Sequence, residues 1–295
     1  MGLIRSFFKK LTLVFKDIKL AHSLFALPFA LLSAFLAKNG IPSAREFAWI
    51  ILAMVSARSG AMATNRVLDA EIDAKNPRTA SRALPSGKLR KIEMWLFIVI
   101  AYALFIFSAY NLNRLCFLLS PVAILWISFY SLTKRFTRLS HFVLGMSLGI
   151  APMGAWLAID PSLKFPRILA PAFISAAVLL WVAGFDIIYS FQDIEIDKKQ
   201  NLFSIPRFLG IAKSLWLCRG LHLISLLLLT APYVLLQLGP IYLMGLAIIA
   251  GLFIYEHSLL KPDDLSKLNV AFFNMNGWIS VTFFIFGAID ILVRQ

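Results

Sequence analysis

The feature that most constrains this chain is a succession of nine apolar runs, at roughly 20–37, 47–64, 92–110, 115–132, 139–159, 168–191, 212–236, 238–256 and 270–293. Roughly 20 apolar residues form a helix long enough to cross a bilayer, and the breaks between the runs carry Gly, Pro, Asn or charge, as loops do. The expected architecture is therefore all-α, a polytopic membrane protein of about nine transmembrane helices. Only 15% of the 295 residues are charged and the mean hydropathy is +0.79, where soluble domains carry about a quarter charged residues. A net charge of +14 would suggest nucleic acid in a soluble chain. Here the basic residues are expected in cytoplasmic loops beside the lipid bilayer, with no nucleic-acid partner. Cys116 and Cys218 lie in apolar runs without metal-ligand spacing and are expected to pack.

Residues 1–19 alternate Phe7, Phe8, Leu11, Val14, Phe15 and Ile18 with Arg5, Lys9, Lys10, Lys16 and Lys19. That is the pattern of a helix lying on a membrane surface, and no cleavable signal is expected in it. The expected organisation is this segment, 1–19, followed by one membrane domain, 20–295. With the N-terminus inside, cytoplasmic segments hold 21 Lys and Arg and the opposite side six. The positive-inside rule then places the N-terminus in the cytoplasm.

Asn65 to Gly87 reads NRVLDAEIDAKNPRTASRALPSG. Residues four apart share a helix face, so Asn65, Asp69 and Asp73 form one polar stripe, with Arg78, Arg82 and a Pro85–Gly87 turn beyond it. A second stripe, Asp186, Tyr189, Asp193 and Asp197, ends the sixth run. The two are separated by an even number of spans, so they face the same side. Seven of the fifteen acids lie in these two stretches, although a carboxylate within a bilayer costs a few kcal/mol. Such clusters repel unless cations lie between them. Hard oxygen donors with open positions suit Mg²⁺, which binds through one or two carboxylates and substrate phosphates. Two facing clusters could hold a diphosphate, with Arg78, Arg82, Lys134 and Arg135 neutralising it. The blander alternative is that the acids pair with nearby loop arginines.

NxxxDxxxD followed by RTxxRxLPSG, then DxxYxxxDxxxD four spans later, resembles the UbiA superfamily of intramembrane aromatic prenyltransferases. The resemblance covers nearly the whole chain, including Arg58, YSLTKRFT from Tyr130 and HFVLGMSLGIAPMGAW from His141. HSLFALPFA, NPRTASR and FSIPRFLG are similar to a bacterial branch described as 4-hydroxybenzoate polyprenyltransferase-like. The resemblance implies a helical bundle around a central cavity in the bacterial inner membrane, its active site facing the cytoplasm. It implies Mg²⁺ as cofactor, with Asn65, Asp69 and Asp73 as ligands of one ion and Asp193 and Asp197 of another. It implies Arg78, Arg82, Lys134 and Arg135 as contacts of a polyprenyl diphosphate. Arg58, Asp186 and Tyr189 would line the cavity for an aromatic acid acceptor, most simply 4-hydroxybenzoate, in ubiquinone or menaquinone synthesis. The chain departs from its relatives at Arg66, where many carry an Asp. It also reads KDIKLAHS where the ubiquinone enzymes have Arg-x-Asp-Lys-Pro-Ile-Gly, which leaves Lys19 or His22 nearest the acceptor. Phe203 replaces a lysine before Ser204.

Other residues read more blandly. His141, His222 and His257 share no ligand spacing and are expected in packing. Arg219 is expected to reach the interface, and Asp263 and Asp264 to be solvated. A transporter is the main non-enzyme alternative, but its acids would lie at the midplane. The DxxDGxxAR spacing of phosphatidyltransferases does not occur. Within the prenyltransferases, dihydroxynaphthoate, homogentisate, haem or a glycerol phosphate remain alternative acceptors.

Overall fold

The computed structural model describes residues 2–18 and 25–294, with side chains from residue 10 onward. Among these residues the chain is helical throughout, and its one β-bridge, Lys261 with Asp264, is isolated. The helices in order are α1 Gly2–Asp17, α2 Leu27–Lys38, α3 Ala44–Leu68, α4 Ala70–Ala74, α5 Lys91–Leu112, α6 Arg114–Thr133 and α7 Ser140–Ile159. They continue with α8 Leu169–Tyr189, α9 Ile194–Lys199, α10 Ile205–Leu228, α11 Ala231–Leu235, α12 Pro240–Ser258 and α13 Asn276–Val293. A π-helical stretch, Val270–Met275, leads into α13.

Among the described residues eight segments are long and apolar enough to cross a membrane, so the chain is a multi-pass membrane protein. The first expected run, 20–37, gives α2, twelve residues, which at 1.5 Å per residue spans about 18 Å. Every residue of α2 from Pro28 to Ala37 is buried. A helix that is apolar all round belongs inside a bundle, and the ring of Phe29 lies 4.9 Å from Trp181 and 4.7 Å from Phe283. Lipid-facing apolar residues are carried by the outer helices, among them Leu96 and Val99 of α5 and Val122 and Leu125 of α6.

The central helix is α8, whose Ala177, Val178, Trp181, Val182, Ala183, Ile187 and Ile188 are all but inaccessible. It lies directly against α7 because Gly145 and Gly149 are spaced as a GxxxG pair, which lets two helix backbones approach closely. An added methyl at Gly149 would stand 2.7 Å from the Ser175 carbonyl oxygen. This contact sets the position of the helix that leads into the second acidic stretch.

The N-terminal segment is fastened to the bundle more firmly than a free surface helix would be. Val14 and Ile18 are buried with Ala63, Val67, Ala83, Leu89, Met94 and Ile98. Lys10 reaches Glu93 at 2.6 Å, and the Asp17 carboxylate accepts a hydrogen bond from the Ala83 amide at 3.0 Å. Lys19 and His22, the expected acceptor-side residues, lie outside the described residues.

Candidate active site

The first acidic stretch is not one continuous helix. The chain departs from helical geometry at Asp69 (φ −92°, ψ 2°) between α3 and α4. Hydrogen bonds from the Asp69 amide to the Asn65 carbonyl (2.9 Å) and from the Asp73 amide to the Asp69 carbonyl (2.7 Å) nevertheless preserve the four-residue row. Asn65, Asp69 and Asp73 are all buried, at 9, 2 and 5% exposure. The second stretch corrects the expected single stripe. After α8 the chain tightens into a 3₁₀ turn, Ser190–Asp193, and bends again at Asp193 (φ −108°, ψ 1°) before α9. Asp186, Asp193 and Asp197 therefore sit on three differently directed pieces, all lining one cavity.

The two stretches meet. Asn76, from the loop after α4, donates to Asp193 at 3.0 Å. Arg78 grips the same carboxylate with two nitrogens, at 2.6 and 3.2 Å, and donates to the Tyr189 hydroxyl at 3.1 Å. Burial disfavours the Arg78 charge, but Asp193 and Tyr189 outweigh it and hold the guanidinium pKa above its ordinary value. Arg82 bonds Asp73 at 2.6 Å. Lys134 reaches Asp69 at 2.6 Å, and Arg135 donates to the Leu68 carbonyl at 2.6 Å and lies 3.4 Å from Asp69. All four expected diphosphate contacts are thus in ion pairs with the expected metal ligands, as the bland pairing alternative anticipated.

Arg66, where the family resemblance led an acid to be expected, is a buried cation. Its side chain donates to Asn65 Oδ1 at 3.0 Å and to the Asp17 carbonyl at 3.2 Å. It holds Asn65 and α1 in place. Asn65 in turn donates to Asp69 at 2.9 Å. Glu71 points outward and lies 3.7 Å from Lys91.

Beneath the charged rim lies a cavity of about 500 Å³. It is lined by Arg58, Tyr130, Asp186, Tyr189 and Phe272 and by the apolar Ile50, Met54, Phe105, Leu119, Leu148 and Met153. The Tyr189 ring stacks on Phe272 at 4.2 Å. Nη1 of Arg58 is buried with no hydrogen-bond partner. Cys116 is on the cavity wall, whereas Cys218 packs, donating to the Gly184 carbonyl at 3.3 Å.

Sequence reasoning missed two members of this site. Asn76 sat unremarked within NPRTASR. His141, expected in packing, lies 2.7 Å from Asp186; its place at the head of the HFVLG segment is the available signal. His222 and His257, expected in packing, lie together in the interior. They meet at 3.0 Å beside the buried Glu256, on α10 and α12. Arg219 stacks on Trp216 at 4.5 Å, and Asp263 and Asp264 are exposed in a loop.

The profile of the UbiA prenyltransferase family matches residues 26–278. The chain belongs to this family. A 4-hydroxybenzoate octaprenyltransferase of Nitrosospira multiformis is 30% identical to it over 265 residues, 88% of this chain and 87% of that protein. The apo structure of a UbiA homologue from Aeropyrum pernix K1 is 32% identical, with a TM-score of 0.82 over 93% of this chain and 98% of that one. A UbiA homologue from Archaeoglobus fulgidus, solved with GPP and Mg²⁺, shares the fold at a TM-score of 0.66 and 21% identity, over 95% and 99% of the two chains.

The donor chemistry at the rim suits a hard divalent cation. Asn65, Asp69, Asp73, Asn76, Asp193 and Asp197 offer carboxylate and amide oxygens. Among the described residues no three His, Cys, Asp or Glu side chains converge as a metal cage. Mg²⁺ does not need one, since it is ordinarily held by one or two carboxylates together with phosphate oxygens and water.

Proposed function

We propose that the protein transfers a polyprenyl group from a polyprenyl diphosphate to an aromatic acid, 4-hydroxybenzoate, in a Mg²⁺-dependent step of quinone synthesis. The name of the Nitrosospira relative supports the acceptor, and the bound GPP and Mg²⁺ of the Archaeoglobus homologue support the donor and the ion. The observation on this chain that carries the reading is Arg58. An unpartnered guanidinium nitrogen buried in a largely apolar cavity calls for an anion, because burying a charge without a partner costs several kcal/mol. A carboxylate on a flat aromatic ring satisfies both the charge and the apolar walls.

In this reading residues 20–295 form one catalytic domain, with 1–19 fastened to it. The charged rim faces the cytoplasm of a bacterial inner membrane, as the excess of Lys and Arg on that side supports. Asn65, Asp69, Asp73, Asp193 and Asp197 would hold the metal, which supplies positive charge to the departing diphosphate. Arg78, Arg82, Lys134 and Arg135 neutralise the same oxygens. As the allylic carbon–oxygen bond breaks, Arg58 holds the acceptor so that a ring carbon faces the cation, and Asp186 takes the proton released when the ring regains aromaticity. Water would quench the cation as an alcohol, and the 200–204 segment closes the rim against it. The Phe203 amide donates to the Lys134 carbonyl at 2.7 Å, and Gln200 to the Ile72 carbonyl at 3.2 Å.

The test incubates membranes holding the protein with labelled polyprenyl diphosphate, Mg²⁺ and a panel of aromatic acids. Product is expected with 4-hydroxybenzoate, and Arg58→Met should raise its KM by about tenfold to a hundredfold, as removal of a charged hydrogen bond does, while sparing the KM for the diphosphate. Prenylation of dihydroxynaphthoate alone, or full activity in Arg58→Met, would refute the assignment.

A further inference from the structure

His141 is the second residue of α7 and is only 3% exposed. Its Nδ1 lies 2.7 Å from Asp186 Oδ2, and its Nε2 receives the amide hydrogen of Ile205 at 3.3 Å. A ring nitrogen that accepts a hydrogen bond from an amide carries no proton in that bond. The imidazole proton is therefore on Nδ1, where it is donated to Asp186. The Ile205 amide opens α10, and the flanking Ser204 provides no side-chain cap. It is one of the amides a helix start leaves without an internal partner, so the same ring also caps α10. One side chain thus joins three elements: α7 on which it sits, the α8 carboxylate on the cavity wall, and the start of α10. The residues just before that start are the 200–204 segment that bonds to Lys134 and Ile72 and sets Leu202 against the cavity.

We propose that His141 is the positioning residue of Asp186. Its Nδ1–H bond holds Oδ2 and turns the other oxygen, Oδ1, toward the acceptor. The inference rests on the prenyl-transfer reading of the cavity. In that reaction the carbon–oxygen bond of the diphosphate breaks with its electron pair going to the leaving diphosphate, and a bond forms between the allylic carbon and a ring carbon. The electrons of that carbon's C–H bond then restore the aromatic ring, and the proton passes to Oδ1 of Asp186. An orienting bond on Oδ2 leaves this transfer geometrically prepared.

Two substitutions separate positioning from packing. The side-chain amide nitrogen of His141→Asn falls near Nδ1 and keeps the bond to Asp186; the amide oxygen of His141→Gln falls near Nε2 and keeps only the bond from Ile205. In the full-length protein in lipid nanodiscs, His141→Asn should retain kcat within about threefold. His141→Gln should lose about tenfold to a hundredfold in kcat, the worth of one hydrogen bond to a charged group, at unchanged KM for polyprenyl diphosphate. Equal losses in both variants, or wild-type kcat in His141→Gln, would overturn the proposal. Nitrogen NMR of histidine-labelled protein reads the ring directly, with His141→Asn identifying the resonance among only four histidines. A proton on Nδ1 whose signal moves in Asp186→Asn supports the proposal; a proton on Nε2, or a signal indifferent to Asp186, overturns it. Absence of any transfer by the wild-type protein would defeat the functional reading alone, since the NMR result still decides what His141 holds.

Discussion

Gly149→Ala probes the contact on which the site's position depends. The new methyl would stand 2.7 Å from the Ser175 carbonyl oxygen and 3.5 Å from the Leu179 side chain. The oxygen belongs to the α8 backbone and cannot swing aside, so α7 and α8 must separate by about 0.5 Å to restore ordinary contact. Overpacking of this kind costs about 1–3 kcal/mol, offset by about 1 kcal/mol from replacing glycine within a helix. The net expectation is a loss of about 1 kcal/mol. Because α8 carries Asp186 and leads to Asp193, the displacement should also reach the reaction, where a misplacement of about 1 Å can cost a hundredfold. Half of that movement suggests about a tenfold fall in prenyl transfer. Thermal unfolding in detergent and the transfer assay measure the two effects. Gly251→Ala is the control, since that glycine lies within α12 with nothing within 4 Å of an added methyl; it should leave activity unchanged and unfold no earlier than wild type. If Gly149→Ala matches the control in both assays, the α7–α8 contact does not set the site.

Other perturbations test separate parts of the argument. Asp69→Ala should reduce Mg²⁺-dependent transfer to background while the protein remains folded in membranes, as monitored by its thermal transition. Asn276→Ala removes the acceptor of the buried Trp181 indole N–H (2.7 Å) and a donor to the Phe272 carbonyl (2.8 Å); unfolding should be easier by about 2 kcal/mol. Arg78→Gln frees Asp193 from its bidentate partner, so in substrate-free protein it should tighten binding of Mn²⁺, read by paramagnetic relaxation, while raising the KM for polyprenyl diphosphate. Weaker Mn²⁺ binding in that variant would place the metal away from Asp193.

How much of this was legible in the chain follows from the range of the forces involved. The membrane helices were, because burial in lipid is paid residue by residue and leaves an apolar run wherever a helix crosses. The first acidic row was legible because four-residue spacing survives the bend at Asp69 through two backbone hydrogen bonds. The second was not legible as a shape: nothing in SFQD announces a 3₁₀ turn, and the bend at Asp193 is what lets Asp193 meet Asn76 and Arg78 from a loop more than a hundred residues earlier. His141 failed for the same reason. Its partners, Asp186 and Ile205, are 45 and 64 residues away, and a histidine in an apolar run carries no local mark of that pairing. The docking of α1 was hidden differently, since an amphipathic helix reads alike whether its apolar side meets lipid or, as Val14 and Ile18 do, the side chains of α3 and α5.

The distribution of charge at the site ties these observations to one another. The rim cations are engaged by its carboxylates in the structure: Lys134 and Arg135 with Asp69, Arg82 with Asp73, and Arg78 with Asp193. An arriving diphosphate would compete for the same four side chains. Each cation it draws off releases a carboxylate oxygen, and the released oxygens are the donors a divalent ion needs. Diphosphate and metal would therefore each raise the other's affinity, as linkage requires of two ligands that favour the same rearrangement. Arg58 obeys a different rule. Its buried Nη1 has no carboxylate to give up, so an acceptor anion meets no competitor there. In the proposed reaction the rim would thus exchange its partners when the donor substrate binds, while Arg58 in the cavity below would meet the acceptor without giving up a carboxylate.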